Sequence, residues 1–137
     1  MKTAFAGACL CSQVRYTCSA RPLFMGNCHC RDCQRSSGGA YTPAMFFRLE
    51  AVAITGVVRY YRKQADSGHA IERGFCPDCG SQLFSRLERQ PGLIGVRAGT
   101  LDDPALFKPA IDIFADSANH WDLLNPELPR AARSPQG

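Results

Sequence analysis

A chain of 137 residues that is 45% hydrophobic and 20% charged is sized for one domain and carries enough apolar material for a core. Its formal charge of +4 is modest and counts the eight cysteines as neutral, so nucleic acid is not the indicated partner, although a small anionic ligand fits. No window approaches the roughly 18 apolar residues of a membrane span, and Met1 to Gly7 lacks an apolar stretch of signal-peptide length, so the expected location is the cytoplasm, where eight thiols point to metal rather than to disulfides.

In chain order, Cys9-Leu10-Cys11 places two thiols at i and i+2, positions that share a face of an extended strand. Residues 14–18 alternate apolar and polar as a half-buried strand does, and Cys18 at its end reads as a buried small hydrophobe. The apolar run 23–25 leads into Cys28-His29-Cys30-Arg31-Asp32-Cys33, three thiols spaced C-x-C-x-x-C. Residues 34–39 read as a polar loop or one helical turn ended by glycines. Residues 41–47 read as a strand in which Pro43 implies an edge or a bulge.

Two β-rich runs, 52–55 and 57–61, follow on either side of Gly56, with a polar turn at 64–68. The strand 70–75 runs into Cys76-Pro77-Asp78-Cys79-Gly80, and the strand 81–85 leaves it. Residues 93–98 and 110–114 are the remaining strand candidates, with Leu101-Asp102-Asp103-Pro104 a turn by residue type. Residues 117–121 suggest one helical turn capped by Ser117. Residues 126–137 are polar with three prolines and read as a loosely ordered tail after a domain spanning 1–125. No stretch sustains a 3.6-residue period over three turns, so the chain reads as a mainly β single domain of several small sheets pinned by metal.

Spacing sorts seven of the eight cysteines. Cys76 and Cys79 have the form of a zinc knuckle, with Gly80 tolerating positive φ after the second thiol. Cys9 and Cys11 can close that tetrahedron, and a closed four-thiolate site is structural. Cys28, Cys30 and Cys33 then remain together, leaving a fourth coordination position for water or a substrate atom, as a catalytic zinc requires. Three thiolates make such a site soft and suited to a sulfur ligand, and a thiol entering it would be deprotonated. The competing arrangement is one ribbon site from Cys30, Cys33, Cys76 and Cys79, which leaves four thiols unexplained.

These motifs resemble the glutathione-dependent formaldehyde-activating enzymes, a family that includes centromere protein V. The resemblance rests on Gly7-x-Cys9-x-Cys11, on Cys28-His29-Cys30-x-x-Cys33-Gln34-Arg35-Ser36-Ser37-Gly38 and on Arg73-Gly74-Phe75-Cys76-x-x-Cys79-Gly80-Ser81, with residues 99–104, Pro109 and Trp121 beyond. It covers roughly Gly7 to Trp121. It implies several coiled antiparallel sheets of the β-tent type, stapled by zinc. It implies a structural zinc at Cys9, Cys11, Cys76 and Cys79 and a catalytic zinc at Cys28, Cys30 and Cys33. The implied activity is that of a carbon–sulfur lyase related to S-(hydroxymethyl)glutathione synthase, with glutathione or a similar small thiol and formaldehyde or a related small aldehyde as partners. The rival reading is a non-catalytic zinc-stapled module that carries glutathione or docks a protein or nucleic acid. Ser12 departs from the glycine usual in the family, and Asp112 stands in a strand where histidine is common.

Other residues carry weaker signals. His29, between two ligand thiols, is expected to point away from the metal and to pack or hydrogen-bond beside it. His69 and His120 read as surface or capping groups. Arg35 is the candidate for a glutathione carboxylate, which arginine can grip with two parallel bonds. Arg31 and Arg73 read as charge balance for the thiolates. Asp102 and Asp103 read as turn residues, and Phe46, Phe47 and Trp121 as core.

Overall fold

The computed structural model describes residues 5–133 and places ten strands and one α-helix in them. In chain order these are β1 (Ala6–Ala8), β2 (Arg15–Cys18), β3 (Phe24–Cys28), α1 (Arg31–Ser37), β4 (Thr42–Arg48) and β5 (Val52–Thr55). There follow β6 (Arg59–Gln64), β7 (Ala70–Phe75), β8 (Gln82–Leu87), β9 (Gln90–Arg97) and β10 (Asp112–Ile113). The mainly β expectation holds.

Two sheets share the strands. One is three-stranded, β1-β2-β5, and the other is seven-stranded in the order β10-β3-β4-β9-β8-β7-β6. Every pairing is antiparallel except β10 on β3, which is parallel. Gly56, at φ +94°, turns the chain out of β5 and towards β6, so that two neighbouring runs join different sheets.

The alternation of each strand decides what it buries. Met45, Phe47, Ile94, Val96 and Phe84 line one face of the large sheet and meet Phe5, Val14, Tyr16 and Cys18 from the small sheet and its loops. Phe5 meets Phe47 edge-on at 5.8 Å, and Tyr16 meets Phe84 at 5.6 Å. Such pairs add about 0.5–1.5 kcal/mol each beyond their buried area. The opposite face of the large sheet carries Cys28 beside Thr42 and, one pair along, Ala44 beside Arg97. The first turns of α1 lie over that second face, where the Thr42 hydroxyl donates to the Cys33 carbonyl at 3.2 Å.

Several local expectations are revised. The polar stretch after the thiols is the second half of a helix that begins at Arg31, and Gly38 ends it at φ +71°. Pro43 sits in an interior strand, yet the β9 ladder begins only at Ala44, so its missing N–H removes no bond there. Ser117 ends a 3₁₀ turn rather than capping a helix. Trp121 is 60% exposed instead of core. The tail is pinned through its backbone: Asp112 N–H donates to the Pro129 carbonyl at 3.0 Å, and Ala131 N–H to the Asp112 carbonyl at 2.9 Å. Side-chain composition carries no signal of such main-chain bonds. Residues 134–137 of that stretch lie outside the described residues.

Gly7 is where the small sheet meets the 3₁₀ turn at Ala98–Thr100. A Cβ there would lie 2.1 Å from the Thr100 carbonyl oxygen and 2.4 Å from the Tyr16 hydroxyl. Backbone cannot give way as a side-chain tip can, so Gly7→Ala is expected to cost about 1–3 kcal/mol. A lowered urea midpoint at unchanged slope would register it.

Candidate metal centres

Cys9, Cys11, Cys76 and Cys79 converge from two turns. Cys9 and Cys11 were expected on a strand. They lie instead in the β1–β2 connection, where Ser12 N–H donates to the Cys9 carbonyl and Cys9 N–H to the Val14 carbonyl, both at 3.0 Å. Ser12 takes φ +68°, a left-handed backbone that costs a non-glycine residue about 1–2 kcal/mol. The departure from glycine at this position therefore falls where glycine has a physical use. The second pair turns as its spacing implied, with Gly80 at φ +78° and its N–H on the Cys76 carbonyl at 2.8 Å.

The sulfurs fit a metal. All four lie within 4.8 Å of one another, with Cys9 to Cys11 at 3.7 Å and Cys11 to Cys76 at 3.8 Å. A tetrahedral zinc with Zn–S near 2.3 Å puts its sulfurs about 3.8 Å apart. Donors already stand outside the ring of sulfurs: Val14 N–H reaches Cys9 at 3.3 Å and the Gln13 amide reaches Cys76 at 3.5 Å. The Ser81 hydroxyl lies 3.2 Å from Cys79, and with the Ser81 amide it draws that thiol down to about 5.

Cys28, Cys30 and Cys33 form the second group, also within 4.8 Å of one another. Cys28 ends β3, Cys30 caps α1 with its sulfur 3.3 Å from the Cys33 N–H, and Cys33 lies in the first turn. All three are partly buried. The Cys28 and Cys30 thiols, hydrogen-bonded to Cys33, hold it well below the usual thiol range, helped by Thr42 and by the charge of Arg97. The same contacts with Cys30 and Cys33, followed by burial, push Cys28 far up. The single-ribbon grouping of Cys30, Cys33, Cys76 and Cys79 is not one the described residues bring together.

The three-thiol loop is held from behind by the chain's later segment. His29 is fully buried and turned away from the sulfurs' side chains, with Nε2 2.8 Å from Asp112 Oδ1 and Nδ1 3.1 Å from Asp122 Oδ2. Asn27 also donates to Asp112 at 3.2 Å. Parallel pairing of β10 sets Asp112 beside Asn27 and Ile113 beside Cys28. The buried Gln34 amide donates to the His29 carbonyl at 2.7 Å and to the Ser117 carbonyl at 3.0 Å, while Asn119 donates back to its oxygen at 3.1 Å. His29 therefore supports the loop, as expected, and its partners are residues for which the sequence offered no such role. Asp122 had no signal at all.

Arg35 is exposed on α1 and borders a shallow depression with Arg31, Gly38, Asn119 and Trp121. His69 and His120 are exposed. Asp103 caps a 3₁₀ turn through the Ala105 N–H, as its turn reading implied. Cys18 sits in the core, where burial raises it to about 11. Sequence reasoning passed over Arg97. The alternation of its strand did carry a signal, because it sets Arg97 opposite the apolar positions Ile94 and Val96.

Residues 4–117 match the family described as glutathione-dependent formaldehyde-activating enzyme. No curated protein matches the chain. A solved crystal structure of a Rhodobacter sphaeroides protein is similar, at 21% identity, covering 91% of this chain and 98% of that one with a TM-score of 0.56. At that identity the likeness speaks for the fold.

Removing the imidazole leaves a cavity behind β3 and takes a hydrogen-bond partner from the buried Asp112. His29→Ala is expected to cost about 2–4 kcal/mol, from the cavity and the lost hydrogen bond. Adding Asp112→Asn should recover part of that loss. Urea unfolding of both variants, compared as a double-mutant cycle, measures the coupling.

Proposed function

The chain belongs to the glutathione-dependent formaldehyde-activating enzyme family, and from that premise we propose that it is a zinc-dependent carbon–sulfur lyase joining a small thiol to a small aldehyde. The observation that carries the reading is the convergence at Cys28, Cys30 and Cys33 of three thiols with, among the described residues, no fourth protein ligand. Glutathione and formaldehyde are the substrates the family name suggests.

Cys28, Cys30 and Cys33 would hold zinc, which when bound supplies a coordination position that keeps an incoming thiol ionised. Cys9, Cys11, Cys76 and Cys79 would hold a second ion that ties the β1–β2 turn to the knuckle before β8. The sulfur of the substrate forms a bond to the aldehyde carbon, the carbonyl π pair moves to oxygen, and that oxygen takes up the proton the thiol released. In reverse the hydroxyl loses its proton and the carbon–sulfur bond breaks. Arg35, in the depression beside α1, is the residue proposed to receive a glutathione carboxylate. His29, Asp112, Asp122 and Gln34 keep the loop in place and touch neither substrate. Among the described residues no helix is long and apolar enough to cross a membrane.

Incubating the zinc-loaded protein with glutathione and formaldehyde should yield the hydroxymethyl thioether above the uncatalysed rate. Cys30→Ser is expected to lower that rate by at least about 100-fold, the upper end of what losing even an outer support of a metal site costs. Unchanged turnover in a Cys30→Ser protein that has lost one zinc would remove the assignment. Saturable glutathione binding without product would favour the carrier reading instead.

The two sites should also part company on metal removal. A mild chelator is expected to take the ion at the open three-thiol site first, with the near-ultraviolet dichroism kept. Only loss of the ion at the closed site should unfold the chain. Zinc analysis alongside dichroism gives the order, and unfolding on loss of the first ion would contradict it.

A further inference from the structure

We propose that Arg73 and Arg97 form a carboxylate-binding pair beside the three-thiol site, so that one of the substrates taken there carries a carboxylate. This rests on the reading of Cys28, Cys30 and Cys33 as the substrate site.

Both arginines are 8% exposed, and each has a buried Nε–H with no acceptor. Neither pairs with a carboxylate among the described residues. Nearby acids are engaged elsewhere: Asp32 with Lys63 at 2.7 Å and Glu72 with Arg62 at 3.6 Å. Buried charges are normally paired and buried donors bonded, so two unmatched guanidinium groups need a reason.

The sheet register places them. Arg97 pairs with Ala44, two residues along β4 from the Thr42–Cys28 pair, so it shares the face that carries the three-thiol site. Arg73 pairs with Ser85, which pairs with Gly95, two residues before Arg97 on the same face. A Cβ on Gly95 would lie 2.3 Å from the Ser85 hydroxyl and 3.0 Å from the Phe46 ring, which fixes that face independently. Arg97 is close enough for the thiolates of Cys33, Cys28 and Cys30 to act on it, and for Arg73 to oppose it.

Charge alone leaves a surplus. Three thiolates around one divalent ion carry a single negative charge, and the two guanidinium groups carry two positive ones. Sulfur is also a weak hydrogen-bond acceptor, whereas a guanidinium fork is matched by the paired oxygens of a carboxylate.

The carboxylate could arrive on the thiol or on the aldehyde, and the test separates the two. Calorimetric titration of the zinc-loaded protein would compare 3-mercaptopropionate with 2-mercaptoethanol, and glyoxylate with acetaldehyde. The acid of at least one pair should bind at least ~10-fold more tightly, as a charged hydrogen bond implies. Preference in the first pair assigns the carboxylate to the thiol, and preference in the second assigns it to the aldehyde. Arg97→Gln and Arg73→Gln should each cut the preference to less than about twofold, with binding of the neutral probe and zinc content retained. Arg97→Lys keeps the charge while losing the fork, and provides a folded comparison should a glutamine variant fail to fold.

A wild-type protein that discriminates in neither pair overturns the proposal without any variant, as does a preference that survives both substitutions. If such a protein still makes product from glutathione and formaldehyde, the proposed reaction stands and only the carboxylate pair falls. Acid-selective binding through Arg73 and Arg97 with no product from any pair does the reverse.

Discussion

Sulfur atoms brought within about 4 Å of one another repel as anions and attract as ligands, and the fold is arranged around that requirement at two places. At one, a hairpin turn and a knuckle separated by nearly half the chain supply two thiols each, Cys9 and Cys11 with Cys76 and Cys79. At the other, a strand end and the first turn of a short helix supply three. A domain of this size with ten short strands has limited core to spare. Holding an ion, the four-thiol set would do what a larger core would otherwise do, joining the small sheet to the large one. The three-thiol set lies on the face the core does not use.

The backing of the three-thiol loop shows how that face is stiffened. A helix of seven residues has little stability of its own. It is held by a thiol cap at Cys30, by the Thr42 hydroxyl, and by Gln34 reaching both the His29 and Ser117 carbonyls. Beneath it His29 is hydrogen-bonded to Asp112 and lies 3.1 Å from Asp122, so the segment after β9 backs the three-thiol loop. The parallel β10–β3 pair and the backbone bonds to residues 129–131 complete that support.

The two groupings of thiols were legible because C-x-x-C and C-x-C keep their sulfurs close together whatever the local backbone does. Strands 70–75 and 52–55 were legible for a similar reason, since alternation and flanking glycines act within a few residues. What failed depended on partners far along the chain. Trp121 looked like core by residue type, yet the core was already filled by Phe5, Tyr16, Phe47 and Phe84. Asp112 was noted only as a departure, and its contact with His29 spans 83 residues. Arg97 drew no attention inside the strand candidate 93–98, and only the register sets it across from Ala44, on the face that carries Cys28. Residues 126–133 looked loose because main-chain hydrogen bonds leave no trace in side-chain composition.

Zinc-edge X-ray absorption on the purified protein tests the division of the seven thiols most directly. Four sulfurs at one ion and three at the other predict an average near 3.5 sulfurs per zinc at about 2.3 Å, with a lighter oxygen or nitrogen scatterer filling the remainder. Anomalous diffraction at the same edge should find two separate peaks. A lone metal with four sulfurs spanning Cys30, Cys33, Cys76 and Cys79 would contradict the division, and with it the open position on which the proposed chemistry depends.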